Sequence, residues 1–193
     1  MSETGQAILQ GSAKAIQSGE VLNGRQIFSV ACPSVCHNRV VRNLLFLFHT
    51  ACREKGYEVF SRMTVYFSED SIVVPDLVVV RDPALAWNDG IHGVPDLIVE
   101  ATAPDRADRI RREKLELYRT MGVAEFWIVE PVAKFVEIYR LAQERYELVE
   151  IVSMFQKEIW QKLSPDEQAA FPTEWRTPLL ENAVFRLVDV FGG

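Results

Sequence analysis

Two acids interrupt apolar segments of this sequence, and one lysine interrupts the apolar face of a predicted helix; carboxylates and amines in such settings are candidates for metal binding and catalysis. Asp76 lies inside the run Ile72 to Val80, and Glu100 closes the run Leu97 to Val99. A carboxylate in such a setting is costly unless it is paired, protonated or bound to a metal ion. Each acid, taken singly, can also be the polar end of a strand that reaches solvent.

The lysine, Lys114, lies in the segment RADRIRREKLELYRTMG. At about 100° per residue of an α-helix, it falls in the stripe that faces the core, with Ile110, Leu117, Tyr118 and Met121. A lysine in this position points its amine towards the sheet. The alternative is a lysine that buries only its aliphatic chain and frees its amine at an edge.

The tetrapeptide VPDL occurs twice, and the spacing of its acids distinguishes their uses. Asp96 and Glu100 lie four residues apart on one strand, so their Cα atoms are about 13 Å apart and one ion cannot bind both directly. Asp76 begins its strand and Glu100 ends the next, so antiparallel pairing brings these two to one end of the sheet. There they can bind one hard cation, Mg²⁺ with Mn²⁺ as a substitute. Asp96 is expected to start its strand and cap a turn.

Two helices and several strands must position these side chains. One helix is predicted over about 34–55, with Ser34 as N-cap and Gly56 after its end, and another over about 105–121. The segment DPALAWNDGIHG is predicted as a loop, and the C-terminal tail as irregular with two helical pieces. The strands are expected in EVLNGRQIFSV (a hairpin with an Asn-Gly turn), YEVFSRMTVYF, SIVVPDLVVV, DLIVEAT, and the meander EFWIVEP, KFVEIYRL and RYELVEI. This order predicts the mixed α+β (α/β) class, with a single central mixed sheet flanked by helices.

Composition is that of one globular domain covering residues 1–193, of which 1–18 are expected to be frayed. The chain has 48% hydrophobic and 25% charged residues and a net charge of −6, so only a local basic patch or a bound cation can attract a polyanion. We expect no secretory leader and no membrane span. Three cysteines, an odd number, indicate a reducing, cytoplasmic environment without a disulfide framework.

Several stretches together resemble the PD-(D/E)xK phosphodiesterase superfamily, and more narrowly the Uma family of restriction endonucleases, abundant in cyanobacteria. They are EVLNGRQIFSV, the His of CHNRVVRNL, VVPDLVVV, VPDLIVEATAP, EKLELYRTMGVAEFWIVEP and VEIYRL, and they span roughly 19–141. The resemblance implies a restriction-endonuclease-like core with the hairpin N-terminal to it. It also implies that Asp76 and Glu100 are metal ligands and that Lys114 positions or activates the attacking water.

The sequence departs from the family pattern in one region. The superfamily lysine usually follows the acid by two residues, whereas the Uma family carries it on the next helix, where Lys114 stands. Ala103-Pro104-Asp105 replaces the usual Ser-Pro-Ser. Ile110 stands where the family places an Asp, and Asp108 is displaced by two residues. If that Asp serves the substrate or the metal, the site is altered here.

Further candidates have alternative uses. His37 is either a core histidine or an accessory group in the same pocket, and Glu20 is either a turn acid or an additional metal-site acid. Arg106 and Arg109 either contact a phosphate backbone or form a solvated helix face. Cys32, Cys36 and His37 lack a fourth ligand for zinc.

The leading hypothesis is a Mg²⁺-dependent DNA endonuclease that acts as a homodimer. The second is a nuclease-like binding or assembly module without catalysis, consistent with the net acidity and the altered 103–110 segment. The third is a metal-dependent hydrolase of a smaller phosphate ester.

Overall fold

A β-hairpin begins the part of the chain that the computed structural model describes, namely residues 20–27, 34–102 and 110–192. Strands β1 (Glu20–Leu22) and β2 (Arg25–Ile27) pair antiparallel. Asn23 and Gly24 have φ values of 49° and 75°, the positive values that a two-residue type I′ turn requires. The Asn-Gly prediction is confirmed, whereas the 1–18 segment expected to be frayed lies outside the described residues.

The long helix α1 (Val35–Lys55) has the predicted ends. The Ser34 side chain accepts a hydrogen bond from the His37 backbone N–H, and Gly56 ends the helix with a φ of 71°. Its buried face consists of Val40, Leu44, Phe48 and Cys52. This spacing of three or four residues is the apolar stripe that packs a helix on a sheet.

Two segments predicted as single strands are each divided into two. Strands β3 (Glu58–Ser61) and β4 (Val65–Ser68) are separated at Arg62, whose φ is 50°. Strands β5 (Ser71–Val73) and β6 (Leu77–Val80) are separated by Val74-Pro75-Asp76, where proline offers no N–H to a ladder. At each break the chain passes from one sheet to another.

The central sheet has six strands in the order β12-β11-β10-β9-β6-β3. Its remaining strands are β9 (Leu97–Ala101), β10 (Glu125–Glu130), β11 (Phe135–Ala142) and β12 (Arg145–Ser153). Only β9 and β10 pair parallel, and β10 to β12 form the predicted antiparallel meander. β6 and β9 pair antiparallel, which confirms the pairing predicted for the strands beside Asp76 and Glu100.

A second mixed sheet has the order β2-β1-β5-β4-β8-β7. Strands β7 (Ala86–Trp87) and β8 (Gly90–His92) lie in the segment predicted as a loop. The mixed α+β class is therefore confirmed, but it is built on two six-stranded sheets rather than on one. The physical reason is the pair of breaks described above, which divert β4 and β5 away from the central sheet.

The crossover between β9 and β10 carries Lys114. Residues Ile110–Lys114 form a π-helical turn that continues into α2 (Leu115–Met121), and Gly122 ends the helix with a φ of 84°. The predicted start near Asp105 lies outside the described residues. Three short helices follow β12, namely α3 (Lys157–Trp160), α4 (Pro165–Ala169) and α5 (Leu187–Phe191); a two-stranded sheet of β13 (Glu174–Trp175) and β14 (Phe185–Arg186) lies between the last two. None of the helices within the described ranges is long and apolar enough to cross a membrane.

Apolar side chains cover both faces of the central sheet. On one face the sheet packs against α1 and α5, and on the other it packs against α2 and the second sheet. Strands β6 and β9 are buried at every residue, as expected for strands covered on both sides. Asp76 and Glu100, which lie at one end of this strand pair, are likewise buried and are therefore held in a low-dielectric environment.

Candidate functional site: a buried carboxylate–amine cluster

Four charged side chains form one buried group, which we call the carboxylate–amine cluster: Glu20, Asp76, Glu100 and Lys114. The Lys114 Nζ lies 2.7 Å from Glu20 Oε1 and 2.7 Å from Glu100 Oε1. Lys114 exposes only 7% of its surface. The amine therefore points into the fold, and the alternative of a lysine that frees its amine at an edge is excluded.

Strand register brings Asp76 next to Glu100. Leu77 of β6 lies opposite Val99 of β9, so the residue before Leu77 and the residue after Val99 come to the same end of the sheet. There the Ala101 N–H donates to Asp76 Oδ2 at 2.8 Å. The convergence predicted from the spacing of the acids is found.

Glu20 reaches the cluster from the second sheet. Its strand β1 pairs with β5, and the Val74 N–H donates to Glu20 Oε1 at 3.0 Å. The cluster thus lies where the two sheets meet. Of the two sequence alternatives for Glu20, a turn acid or an acid of this site, the structure places it in the site.

His37 joins the cluster from the first turn of α1. Its Nε2 lies 3.1 Å from Asp76 Oδ1, and this hydrogen bond, opposed in part by burial, raises the pKa of His37 above its ordinary value. The Nδ1 atom is buried and has no hydrogen-bond partner among the described residues. His37 is therefore a neighbour of Asp76 rather than a fully satisfied core histidine.

Two residues that contact the cluster were missed by the sequence analysis as functional candidates. The Tyr118 hydroxyl donates to Glu100 Oε1 at 2.7 Å, and the Arg62 backbone N–H donates to the Asp76 carbonyl at 3.1 Å. A signal for Tyr118 existed, because it lies one helical turn after Lys114 on the same face. Nothing in the sequence marks Arg62, because its role depends on a backbone break.

The cluster holds more negative than positive charge. Burial raises the pKa of Glu100 to about 7, with further contributions from the Glu20 and Asp76 carboxylates, and the nearby Lys114 amine only partly offsets this. Burial also disfavours the charged form of Lys114, but the Glu100 and Glu20 carboxylates outweigh it and hold the pKa of Lys114 above its ordinary value. Lys114 is therefore a permanent cation and a hydrogen-bond donor near neutral pH.

These residues suit a hard divalent cation in donor type and in charge. Carboxylate oxygens are the ligands that Mg²⁺ and Mn²⁺ prefer, and a divalent ion compensates three carboxylates that share one amine. In this structure the Lys114 amine bridges Glu20 and Glu100. Consistent with this, no group of three His, Cys, Asp or Glu side chains within the described ranges is already arranged around one point.

The remaining sequence candidates are either at another place in the fold or outside the described residues. Asp96 is at the opposite end of β9, where it accepts hydrogen bonds from the backbone N–H and the Nε of Arg81 at 2.8 and 2.6 Å, as its predicted capping role requires. Arg106 and Arg109, the predicted phosphate contacts, lie outside the described residues. So does Cys32 of the zinc alternative.

A cavity of about 260 Å³ lies away from the cluster. It is lined by residues of α1 and of the C-terminal segment, including Phe46, Leu47, Leu180 and Phe185. No member of the carboxylate–amine cluster lines it. Cavity size therefore does not identify the chemistry of this protein, whereas the buried charges do.

Known proteins are similar to this chain in fold and in sequence. The chain matches the Uma2 family, described as "Putative restriction endonuclease", over residues 14–173. A crystal structure of a "putative nuclease belonging to DUF820" from Anabaena variabilis has a TM-score of 0.65 and 17% identity, over 89% of this chain and 88% of that chain. An uncharacterized protein of Synechocystis sp. is 28% identical over 142 residues, which are 71% of this chain and 80% of that protein.

The sheet topology and the solved neighbour define a restriction-endonuclease-like fold, as predicted. The chain belongs to the Uma2 family. Membership supports a nuclease function, that is, an enzyme that acts on phosphodiester bonds of a nucleic acid.

Proposed function

We propose that this protein is a Mg²⁺-dependent DNA endonuclease. The observation that carries the proposal is the carboxylate–amine cluster: two acids from neighbouring strands, one from the hairpin and an inward lysine meet at one end of the central sheet. Such a set of groups is suited to hydrolysis of a phosphodiester, because it can hold a cation and a charged donor side by side.

The acids are proposed to hold the cation. Asp76 and Glu100 are the main ligands, and Glu20 is an additional one; Mn²⁺ can substitute for Mg²⁺. When bound, the cation supplies a Lewis acid for the scissile phosphate. His37 keeps the Asp76 carboxylate oriented through the Nε2 contact at 3.1 Å.

Lys114 is proposed to stabilise negative charge as it develops on the phosphate. Its raised pKa keeps it protonated, so it donates hydrogen bonds rather than accepting a proton. Removing a preorganised donor of this kind typically costs about 100-fold to 1000-fold in rate. Because the amine stays protonated, its proposed role is electrostatic: it positions the attacking water and does not deprotonate it.

The substrate and the assembly are proposed as well. Because the net charge of the chain is −6, DNA has to be held by local cations, for which Arg106 and Arg109 are the candidates. We expect residues 1–193 to act as one domain and the protein to act as a homodimer, since restriction enzymes that cut both strands are commonly dimers and symmetric dimers are common in general.

Plasmid cleavage with Mg²⁺ or Mn²⁺ tests this function. Asp76→Ala is expected to lose at least about 100-fold of the activity, since removal of a ligand costs no less than removal of its outer partner. Glu116→Ala is the control, because Glu116 is exposed and pairs with Arg119 on the outside of α2. Equal residual cleavage by wild type and Asp76→Ala ends the assignment.

One observation favours a second candidate, a nuclease-like binding module without catalysis. The Lys114 amine already neutralises part of the charge of Glu20 and Glu100, so the fold can be satisfied without a cation. Calorimetry distinguishes the two functions. The endonuclease binds Mn²⁺ at millimolar or lower concentration, and the inactive module does not.

A further inference from the structure

Tyr118 places a phenol hydroxyl in the carboxylate–amine cluster. The side chain is fully buried, and its hydroxyl donates to Glu100 Oε1 at 2.7 Å. Lys114 lies one helical turn earlier and donates to the same oxygen at 2.7 Å. Two donors from one helix thus meet on a single carboxylate oxygen.

This arrangement leaves the two oxygens of Glu100 unequal. Oε1 accepts from both Lys114 and Tyr118, whereas no hydrogen bond from the described part of the chain reaches Oε2. A carboxylate that is held at one oxygen has its χ angles fixed and presents the other oxygen in one direction. Outer partners of this kind orient metal ligands in many proteins.

A neighbouring tyrosine in the same core directs its hydroxyl at a different kind of partner. Tyr146 packs on the same Phe126 ring as Tyr118, and its hydroxyl donates to the Val123 backbone carbonyl at 2.8 Å. That contact stabilises the fold only. The Tyr118 hydroxyl, in contrast, is directed at a side chain of the carboxylate–amine cluster.

We infer that Tyr118 is a positioning residue, whose hydroxyl holds Glu100 Oε1 so that Oε2 is presented to the divalent cation. The inference rests on the proposed metal-dependent function and adds to it the residue that orients a ligand. Tyr118 does not touch the substrate. Its effect is exerted through Glu100, so it must vanish when Glu100 can no longer bind the cation.

Mn²⁺ titration by calorimetry tests the inference without any nuclease assay. Tyr118→Phe is expected to bind Mn²⁺ about 10-fold to 100-fold more weakly than wild type. Tyr146→Phe, the matched control, is expected to bind as wild type does. Adding Tyr118→Phe to Glu100→Gln is expected to weaken binding no further than Glu100→Gln alone.

The outcomes separate the inference from the proposed function. Tyr118→Phe affinity within twofold of wild type, or an additive loss in the double variant, overturns the positioning role while the proposed function stands. Absence of Mn²⁺ binding by wild type overturns both.

A measurement on the unmutated chain guards against a variant that fails to fold. With tyrosine labelled with ¹³C at Cζ, Mg²⁺ is expected to shift the Tyr118 signal and to leave the Tyr146 signal in place. A Tyr118 signal that does not respond while Mg²⁺ binds contradicts the inference.

Discussion

Two glutamates of the central sheet are buried to the same extent, but their surroundings differ. Glu100 in β9 and Glu125 in β10 each expose 5% of their surface. Glu125 is satisfied at both oxygens: Trp127 Nε1 reaches Oε1 at 2.6 Å, and Arg140 Nε and Thr177 Oγ1 reach Oε2 at 3.3 and 3.0 Å. The Arg140 guanidinium therefore neutralises the Glu125 carboxylate, and both oxygens of Glu125 have hydrogen-bond donors.

The hydrogen bonds and the charge of Glu100 are not balanced in this way. Its two donors, Lys114 and Tyr118, share one oxygen, and the Lys114 amine is shared with Glu20. Its pKa is accordingly raised to about 7, first by burial and then by the adjacent carboxylates. Buried charge in this sheet is thus compensated where it only supports the fold and left in excess where we propose that a cation binds.

Replacing each of the two glutamates by glutamine is expected to give the largest effects, and the effects are expected to differ between the two positions. Glu100→Gln is expected to lose at least about 100-fold of Mg²⁺-dependent cleavage, since an outer partner alone typically contributes 10-fold to 100-fold. Its free energy of unfolding is not expected to fall, because glutamine removes the repulsion among the carboxylates together with the hydrogen-bonding anion. Glu125→Gln is expected to keep its cleavage rate and to lose about 2 kcal/mol of stability, the worth of hydrogen bonds to a charged group.

Plasmid cleavage and urea unfolding, applied to both variants, provide the measurement. The expected pattern is loss of activity without loss of stability at Glu100 and the reverse at Glu125. If both variants lose stability and neither loses activity, the two glutamates are equivalent and the distinction fails.

The free energy of unfolding is expected to depend on pH through the Glu100 carboxyl group. Its folded pKa of about 7 exceeds the ordinary 4.5, so the folded chain binds this proton more tightly than the unfolded chain. The stability that Glu100 contributes is full below pH 4.5 and is lost as pH rises through about 7.

Urea unfolding of wild type and Glu100→Gln between pH 4.5 and 8 measures that contribution. The stability difference between them is expected to shift by about 3 kcal/mol against wild type, and Mn²⁺ at pH 8 is expected to stabilise wild type selectively. A pH-independent difference contradicts the raised pKa.

The smallest expected effect concerns two residues with a left-handed backbone conformation, one near the cluster that contains Glu100 and one near the strand that contains Glu125. Arg62 (φ 50°) lies between β3 and β4, and its backbone N–H donates to the Asp76 carbonyl. Lys134 (φ 57°) lies in the turn between β10 and β11. Glycine relieves the steric cost of this conformation but adds chain entropy, so Arg62→Gly and Lys134→Gly are each expected to stabilise by about 0.5 kcal/mol. Thermal unfolding checks this, and destabilisation at Arg62 alone indicates that its side chain supports the cluster.

The sequence predicted the part of the cluster that depends on local geometry. Asp76 and Glu100 converge because the two strands beside them pair antiparallel, and Lys114 points inward because a helix repeats every 3.6 residues. Each inference needed only the spacing of residues within one or two elements.

The remaining contacts depend on pairings between distant segments. Glu20 joins the cluster only because β1 pairs with β5, and the break at Val74-Pro75-Asp76 separates β5 in the second sheet from β6 in the central sheet. An apolar run that crosses such a break reads as one strand, since hydrophobic periodicity does not report which sheet a strand enters. Tyr118 was visible as a core residue, but the partner of its hydroxyl required the register of β9.

The separation of Glu20 and Lys114 along the chain has a consequence for synthesis in the cell. These residues, 94 positions apart, share one salt bridge across two sheets and a helix. A nascent chain emerging from the ribosome therefore carries Glu20 long before Lys114 is in place, and long-range contacts of this kind form late in folding. In the proposed function, the metal site is therefore complete only in the finished tertiary structure, and an unfinished copy lacks the groups with which we propose that it cuts DNA.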